Sequence, residues 1–118
     1  MSRDDGGAAT VWSLALVNVL LLVGLAAAAV GALAVTRQRA ATVADVAAVT
    51  GAQALGDPCS EAGAVVAANA MTTVSCRLDG VDVVIDVSTP APPVVERLIG
   101  ILGRTVPEVR ASARAGPP

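Results

Sequence analysis

VWSLALVNVLLLVGLAAAAVGALAV, from Val11 to Val35, holds 25 residues without a single charge. As a helix this run would extend about 37 Å. A bilayer hydrocarbon core is about 30 Å thick, so one tilted pass fits. Trp12 stands at one end, where an indole suits the headgroup zone, and Arg37 and Arg39 close the other. The run predicts a transmembrane helix over residues 11–36. Asn18 is the one strongly polar side chain deep inside it. It is either a hydrogen-bonding contact to another helix or a polar residue tolerated near the lipid interface. Gly24, Ala28 and Gly31 fall at i, i+4 and i+7, the small-residue spacing that lets helices approach closely. So alanine-rich a run also produces that spacing by chance.

The rest of the 118 residues allows one small domain beside the anchor. Hydrophobic residues make up 54% of the chain, but Phe and Tyr are absent and Trp12 is the only tryptophan. A small core usually recruits aromatics because each buries a large area. Here the apolar mass is Ala, Val and Leu, suited to lipid contact and close helix packing. Net charge is −2 and the arginines do not cluster, so no nucleic-acid footprint is present. There is no histidine to activate a Ser or Cys nucleophile, and no Gly-rich phosphate loop. Two cysteines without histidine do not make a zinc site. Asp82 and Asp86 share a strand face but stand about 13 Å apart at that spacing. With Asp79 they read as a solvated face. The sequence therefore points away from enzymes, metals and cofactors.

Beyond the membrane run, Gln38 to Leu55 contains no proline and one glycine, Gly51. Gln38, Thr42, Asp45 and Gln53 fall near one stripe, and Ala41, Ala44, Ala48 and Leu55 on another, which is helical periodicity. Gly56 is the expected stop. Asp57-Pro58 then supplies an N-cap and a first-turn proline for a short helix over Ser60–Asn69. Two β-prone runs, Thr72–Leu78 and Val81–Ser88, flank Asp79-Gly80, which favours a two-residue type I′ hairpin. That register pairs Leu78 with Val81, Cys76 with Val83, Val74 with Ile85 and Thr72 with Val87 on the core face. Arg77 with Asp82, Ser75 with Val84 and Thr73 with Asp86 take the other face. A slip by one residue would turn the apolar set outward. After the break at Thr89–Pro93, Val94–Leu102 reads as a short apolar helix. From Pro107 the chain alternates again, predicting a third, antiparallel edge strand, with pairing beside the second strand one possible placement. Arg110 and Arg114 would then face Asp82 and Asp86.

Cys59 at a helix start and Cys76 on the core face of a strand predict a structural disulfide. A domain of about 60 residues gains from such a staple. The expected architecture is α+β: a long N-terminal transmembrane helix, then a small disulfide-stapled domain with a short helix and a three-stranded antiparallel sheet. Its parts are a polar leader at 1–10, the span at 11–36, a helical extension at 37–56, the α+β domain at 57–115 and a frayed tail at 116–118. Orientation is contested. Arg37 and Arg39 favour the cytoplasm for the chain beyond the span, whereas a disulfide favours an oxidising compartment. The disulfide is the stronger argument, and it places the domain outside a single-pass cell-membrane anchor. A rival reading is a cleaved secretory signal, with Ala32-Leu33-Ala34 as the small-x-small site. Against it, the run is longer than an h-region, and Asp4 and Asp5 outnumber Arg3.

Several short motifs combine in one order. They are Gly6-Gly7 before Ala8-Ala9-Thr10-Val11-Trp12, the apolar helix, Arg37-Gln38-Arg39-Ala40, Asp57-Pro58-Cys59, Val74 to Gly80, and Val109 to Ala115. In that combination the chain resembles the TadE/TadG-like pilus-assembly proteins, in particular the small TadE-like proteins of high-GC Gram-positive bacteria. The resemblance implies a pseudopilin-like or accessory subunit of a Tad-type pilus or secretion system. Its partners would be membrane lipid, other pilin-like subunits and secretion-system membrane proteins, with no nucleic acid. The resemblance also implies processing by a prepilin peptidase after Gly6 or Gly7. Such proteins usually carry Glu as the fifth residue after the cut; counted from Gly7, that position here is Trp12. The alternative function is a secreted effector or binding module released near Ala34.

Overall fold

The computed structural model describes the backbone of residues 3–117 and the side chains of 6–117. Met1 and Ser2 of the expected leader and Pro118 of the expected tail lie outside the described residues. The chain divides into two compact units, Met1–Gly31 and Ala32–Pro118. Helix α1, Arg3–Ala52, runs through both. It begins inside the stretch expected to be a polar leader. Gly6 and Gly7 each cost a helix about 1 kcal/mol relative to alanine, and no proline interrupts residues 3–52 to stop it.

The second unit is the α+β head. Its elements after α1 are α2 (Pro58–Ala68), β1 (Thr72–Asp79), β2 (Asp82–Thr89), α3 (Pro93–Ile101) and β3 (Val109–Ala115). The sheet is antiparallel in the order β1-β2-β3. The expected α+β architecture is therefore present. Ala40, Val43, Ala44, Ala47 and Ala48 of α1 are buried in one core with Ala62 and Val66 of α2, Met71, Ile85 and Val87 of β2, and Val109 and Ala113 of β3. Those α1 positions recur at i, i+3, i+4, i+7 and i+8, one stripe of a helix. The stripe is offset from the expected one. Ala44 and Ala48 are buried as expected, but Ala41 is exposed, and Leu55 lies beyond the helix, fully exposed. Alanine and valine occur all round this stretch, so its periodicity fits adjacent faces almost equally.

The helix ends at Ala52, close beside α2 and β2. A Cβ at Gly51 would lie 2.9 Å from the Pro58 carbonyl oxygen and 3.2 Å from side-chain carbons of Ala62 and Val83. Glycine is what lets these elements meet. Asp57 caps α2, accepting a hydrogen bond from the Cys59 amide at 3.2 Å, with Pro58 in the first turn. At the far end of α2 the Met71 amide donates to the Val66 carbonyl and the Ala70 amide to the Ala67 carbonyl. That is the Schellman pattern, and it closes over the buried side chains of Val66 and Met71. Helix α3 ends the same way, Arg104 to Ile99 and Gly103 to Gly100, with Gly103 at φ +74°. In α2 the left-handed position is occupied by Ala70, at φ +56°.

The hairpin turn is Gly80-Val81, not Asp79-Gly80, and Asp79 pairs with Asp82. Only Gly80 has positive φ, at +65°. A type I′ turn would need positive φ at both Asp79 and Gly80. The II′ turn needs it only at its first central residue, and Gly80 takes that place. The change moves every pairing near the turn by two residues. Leu78 pairs with Val83, Cys76 with Ile85, Arg77 with Val84 and Ser75 with Asp86. A shift of two preserves faces, so Val83, Ile85 and Val87 still point into the core. At Val74 the register shifts again through a β-bulge, after which Thr73 pairs with Val87 and Thr72 with Ser88. The bulge takes Val74 out of the core face expected for it and leaves it exposed.

Cys59 and Cys76 form the expected disulfide, with Cα atoms 5.8 Å apart, tying the first turn of α2 to the middle of β1. The Cys59→Ala/Cys76→Ala double variant should lose about 3 kcal/mol of stability through the freed loop. Chemical denaturation of the full chain in detergent, followed by circular dichroism, measures it. Ala70→Gly should act oppositely. It relieves the left-handed alanine and raises stability by about 0.5–1 kcal/mol, read in the same denaturation experiment.

Candidate functional site

Two surfaces carry the chemistry that this sequence has to offer. The first is the side of α1 that nothing covers. Every described side chain from Gly6 to Ala28 is exposed, including Leu14, Leu16, Leu20, Leu21, Leu22 and Leu25, and Trp12 is 77% exposed. Among the described residues this is the one helix long and apolar enough to cross a membrane. Three of its polar side chains bond to its own backbone. The Asn18 side-chain amide donates to the Leu14 carbonyl at 3.0 Å, Thr10 to Gly6 at 3.1 Å and Thr36 to Ala32 at 2.9 Å. Such i to i−4 bonds spare a helix the cost of unpaired donors in hydrocarbon. Asn18 thus commits one amide N–H to its own backbone; its second N–H and its Oδ1 take no part in that bond.

Gly24, Ala28 and Gly31 lie on one side of α1 by their spacing, and a Cβ at Gly24 or Gly31 would meet nothing within 4 Å. The groove these residues leave is open. Gly6 and Gly7, the expected processing residues, are equally open but lie inside the helix rather than in an extended leader. Ala32-Leu33-Ala34 is also helical, and Leu33 is half-buried against the core of the head.

The second surface is the outer face of the sheet. Here the strand order brings together the acids and arginines that the alternation had sorted to one side. Arg114 of β3 reaches across β2: its Nε donates to Asp82 at 2.8 Å, its Nη2 lies 2.7 Å from Asp82, and its Nη1 donates to Asp79 at 2.8 Å. The pairing of Arg114 with Asp82 is as expected. The inclusion of Asp79 follows from the II′ turn, which sets Asp79 opposite Asp82. Two carboxylates side by side would repel, and one guanidinium fork neutralises both. In turn they hold the Arg114 guanidinium above its ordinary range, through its hydrogen bonds to Asp82 and Asp79. Arg114 and Asp79 are exposed and Asp82 is half-buried, so the network contributes little to stability.

Asp86 has a different partner from the one expected. Arg110 pairs in register with Ser88, and Asp86 lies opposite Ser75 on one side and Ser112 on the other. Ser112 Oγ and Ser75 Oγ both donate to its carboxylate, Ser75 at 2.6 Å. Those two bonds, Ser112 first, hold the Asp86 carboxyl below its ordinary value, helped by the charges of Arg77 and Arg110. The serines were readable as outward-facing residues, but only the true register reveals that they flank an acid. With its carboxylates engaged by arginine and serine hydroxyls, this face is a structural clasp across three strands.

Residues 6–54 match the model of a family described as "Putative Flp pilus-assembly TadE/G-like". The matched segment is α1 from Gly6 to its end and the two residues after it. No curated protein and no solved structure matches the chain.

The clasp has a defined pH response. A folded carboxyl that titrates below its unfolded value of 3.8 contributes stability above that value, and the contribution fades as pH falls through the folded value. Ser112→Ala should move the Asp86 pKa upward, and with it the pH at which this contribution is lost. A carboxyl-carbon NMR titration of the full chain in micelles measures the shift; an unchanged Asp86 titration would count against the assignment.

Proposed function

We propose that this chain, TadE/G-like over residues 6–54, is a structural subunit of a Tad-type pilus or secretion system, pseudopilin-like or accessory, and not an enzyme. One observation carries the reading: the family match falls on α1, whose apolar run is exposed from Val11 to Ala28 and is long enough to cross a membrane. The same helix goes on to supply five buried residues to the head. An anchor joined in this way to a small folded head is the form expected of a subunit that waits in a membrane for its partners. Those partners would be lipid, other pilin-like subunits and the membrane proteins of the secretion apparatus. The open Gly24–Ala28–Gly31 groove is the place where another apolar helix would approach.

The Cys59–Cys76 disulfide supports a head on the extracytoplasmic side, where such bonds persist. Trp12 stands where pilin-like proteins carry an acid, so α1 has no carboxylate there to neutralise a neighbour's amino terminus. That favours an accessory subunit over the main repeating one. The alternative, a secreted module released near Ala34, draws less support. A cut there would remove Leu33, which packs against the head's core.

The test is recovery from the native host of an epitope-tagged chain, followed by intact-mass measurement. The proposal expects the protein in sheared surface filaments or bound to the secretion platform in membranes. Its mass should correspond to a start at Gly7 or Ala8, or to the uncut chain. Repeated absence from both fractions, or soluble protein in the medium starting near Val35, would overturn it.

A further inference from the structure

The 90–108 connection joins the end of β2 to the start of β3. Thr89 and Val109, its two boundaries, pair with each other. The whole connection, α3 included, therefore stands at one end of the sheet. The opposite end carries the Gly80 turn, and there Gly51, late in α1, approaches Val83. Earlier in α1, Leu33 and Arg37 line a cavity of about 350 Å³ with Val95 and Ile99 of α3 and with Val109. So α3 lies level with the point where the uncharged run ends and its first charge, Arg37, begins.

Helix α3 is two-sided. Val95 is buried and Ile99 half-buried, whereas Ile101 and Leu102 are 81% and 74% exposed. Gly103, at φ +74°, ends the helix directly after them and leaves the pair at its tip. Arg97 and Arg104 are exposed on either side in sequence. Other exposed aliphatics of this unit include Val35, Leu55, Leu78 and Val81, of which Leu78 and Val81 lie beside the turn at the far end of the sheet. A pair of bare aliphatics flanked by arginines, level with the end of a membrane span, has the chemistry of an interfacial element.

We propose that the tip of α3 is a second membrane contact. Ile101 and Leu102 enter the lipid interface, and Arg37, Arg97 and Arg104 meet lipid phosphates. This rests on the reading of α1 as a membrane anchor. The contact would hold the head down against the bilayer rather than leave it free to swing on α1.

The experiment places an indole at the tip and asks whether lipid touches it. Ile101→Trp and, separately, Leu102→Trp are made in a Trp12→Phe background, with Val81→Trp in the same background as the far-end control. Full chains are reconstituted in vesicles of phosphatidylcholine and phosphatidylglycerol, with or without brominated acyl chains. The proposal expects blue-shifted emission and loss of most of it to brominated lipid for both tip variants, and neither effect for Val81→Trp. Tip variants that behave like Val81→Trp, while Trp12 of the unaltered chain is quenched, would overturn the proposal and leave the anchor standing. If Trp12 itself escapes quenching, the anchor reading fails and the proposal falls with it. Blue-shifted but unquenched tip emission, reverting on dilution with lipid, would put a second copy on the patch and also overturn it.

Discussion

Close approach of α1 to the sheet is the contact on which the head depends. With no phenylalanine or tyrosine available, the core cannot be filled by a few large side chains. It is filled by bringing backbones together. Alanine at 40, 44, 47 and 48 and glycine at 51 give α1 a nearly flat side, against which the valines and isoleucine of β2 can pack. A core this thin gains less from burial than an aromatic one, so constraints of other kinds supplement it. The disulfide removes freedom from the unfolded chain, a capped α2 enters at a fixed angle from Asp57-Pro58, and a left-handed alanine completes its exit. These devices cluster around α2, which buries only Ala62 and Val66.

The division of labour along α1 follows from the same composition. Ala, Val and Leu serve equally well against lipid and against a sheet. What separates the two halves is what surrounds them. Up to Ala28 every described side chain is exposed, while from Ala40 onward one stripe is covered and the opposite side carries Gln38, Thr42 and Asp45. Arg37 and Arg39 mark the transition. The family match ends just after the helix does, so what it covers is that helix, with the sheet standing outside it.

How far this was legible in the sequence differs from element to element for physical reasons. The long apolar helix, the Asp57-Pro58 start, the hairpin and the third strand each rest on a strong local signal, and each is present. On β2 the core face of Val83, Ile85 and Val87 was also readable, because alternation fixes faces, but Thr72, Val74, Leu78 and Val81, expected on the same face, are exposed. The partners were not readable, because pairings that differ by two residues look alike to alternation. The preference of Gly80 for the first turn position settled the matter locally. The bulge at Val74 left no trace in a run where Thr72, Thr73 and Val74 are all β-prone. In α1 the failure has a different source. Alanine is so frequent there that adjacent stripes are nearly equivalent, and only the packed head chooses between them. The Ser75–Asp86–Ser112 clasp was out of reach because it exists only in the correct register of three strands.

The bulge has a consequence beyond its own strand. A three-stranded sheet has two open edges, and here they belong to β1 and β3. Chains confined to a membrane plane meet far more often than they would in bulk solution, and an open edge is a template for strand-on-strand growth. Neither edge offers a clean one. At β1 the ladder is broken by the extra residue at Val74, and β3 carries Arg110 and Arg114. A sheet with edges broken and charged in this way is a poor template for strand addition.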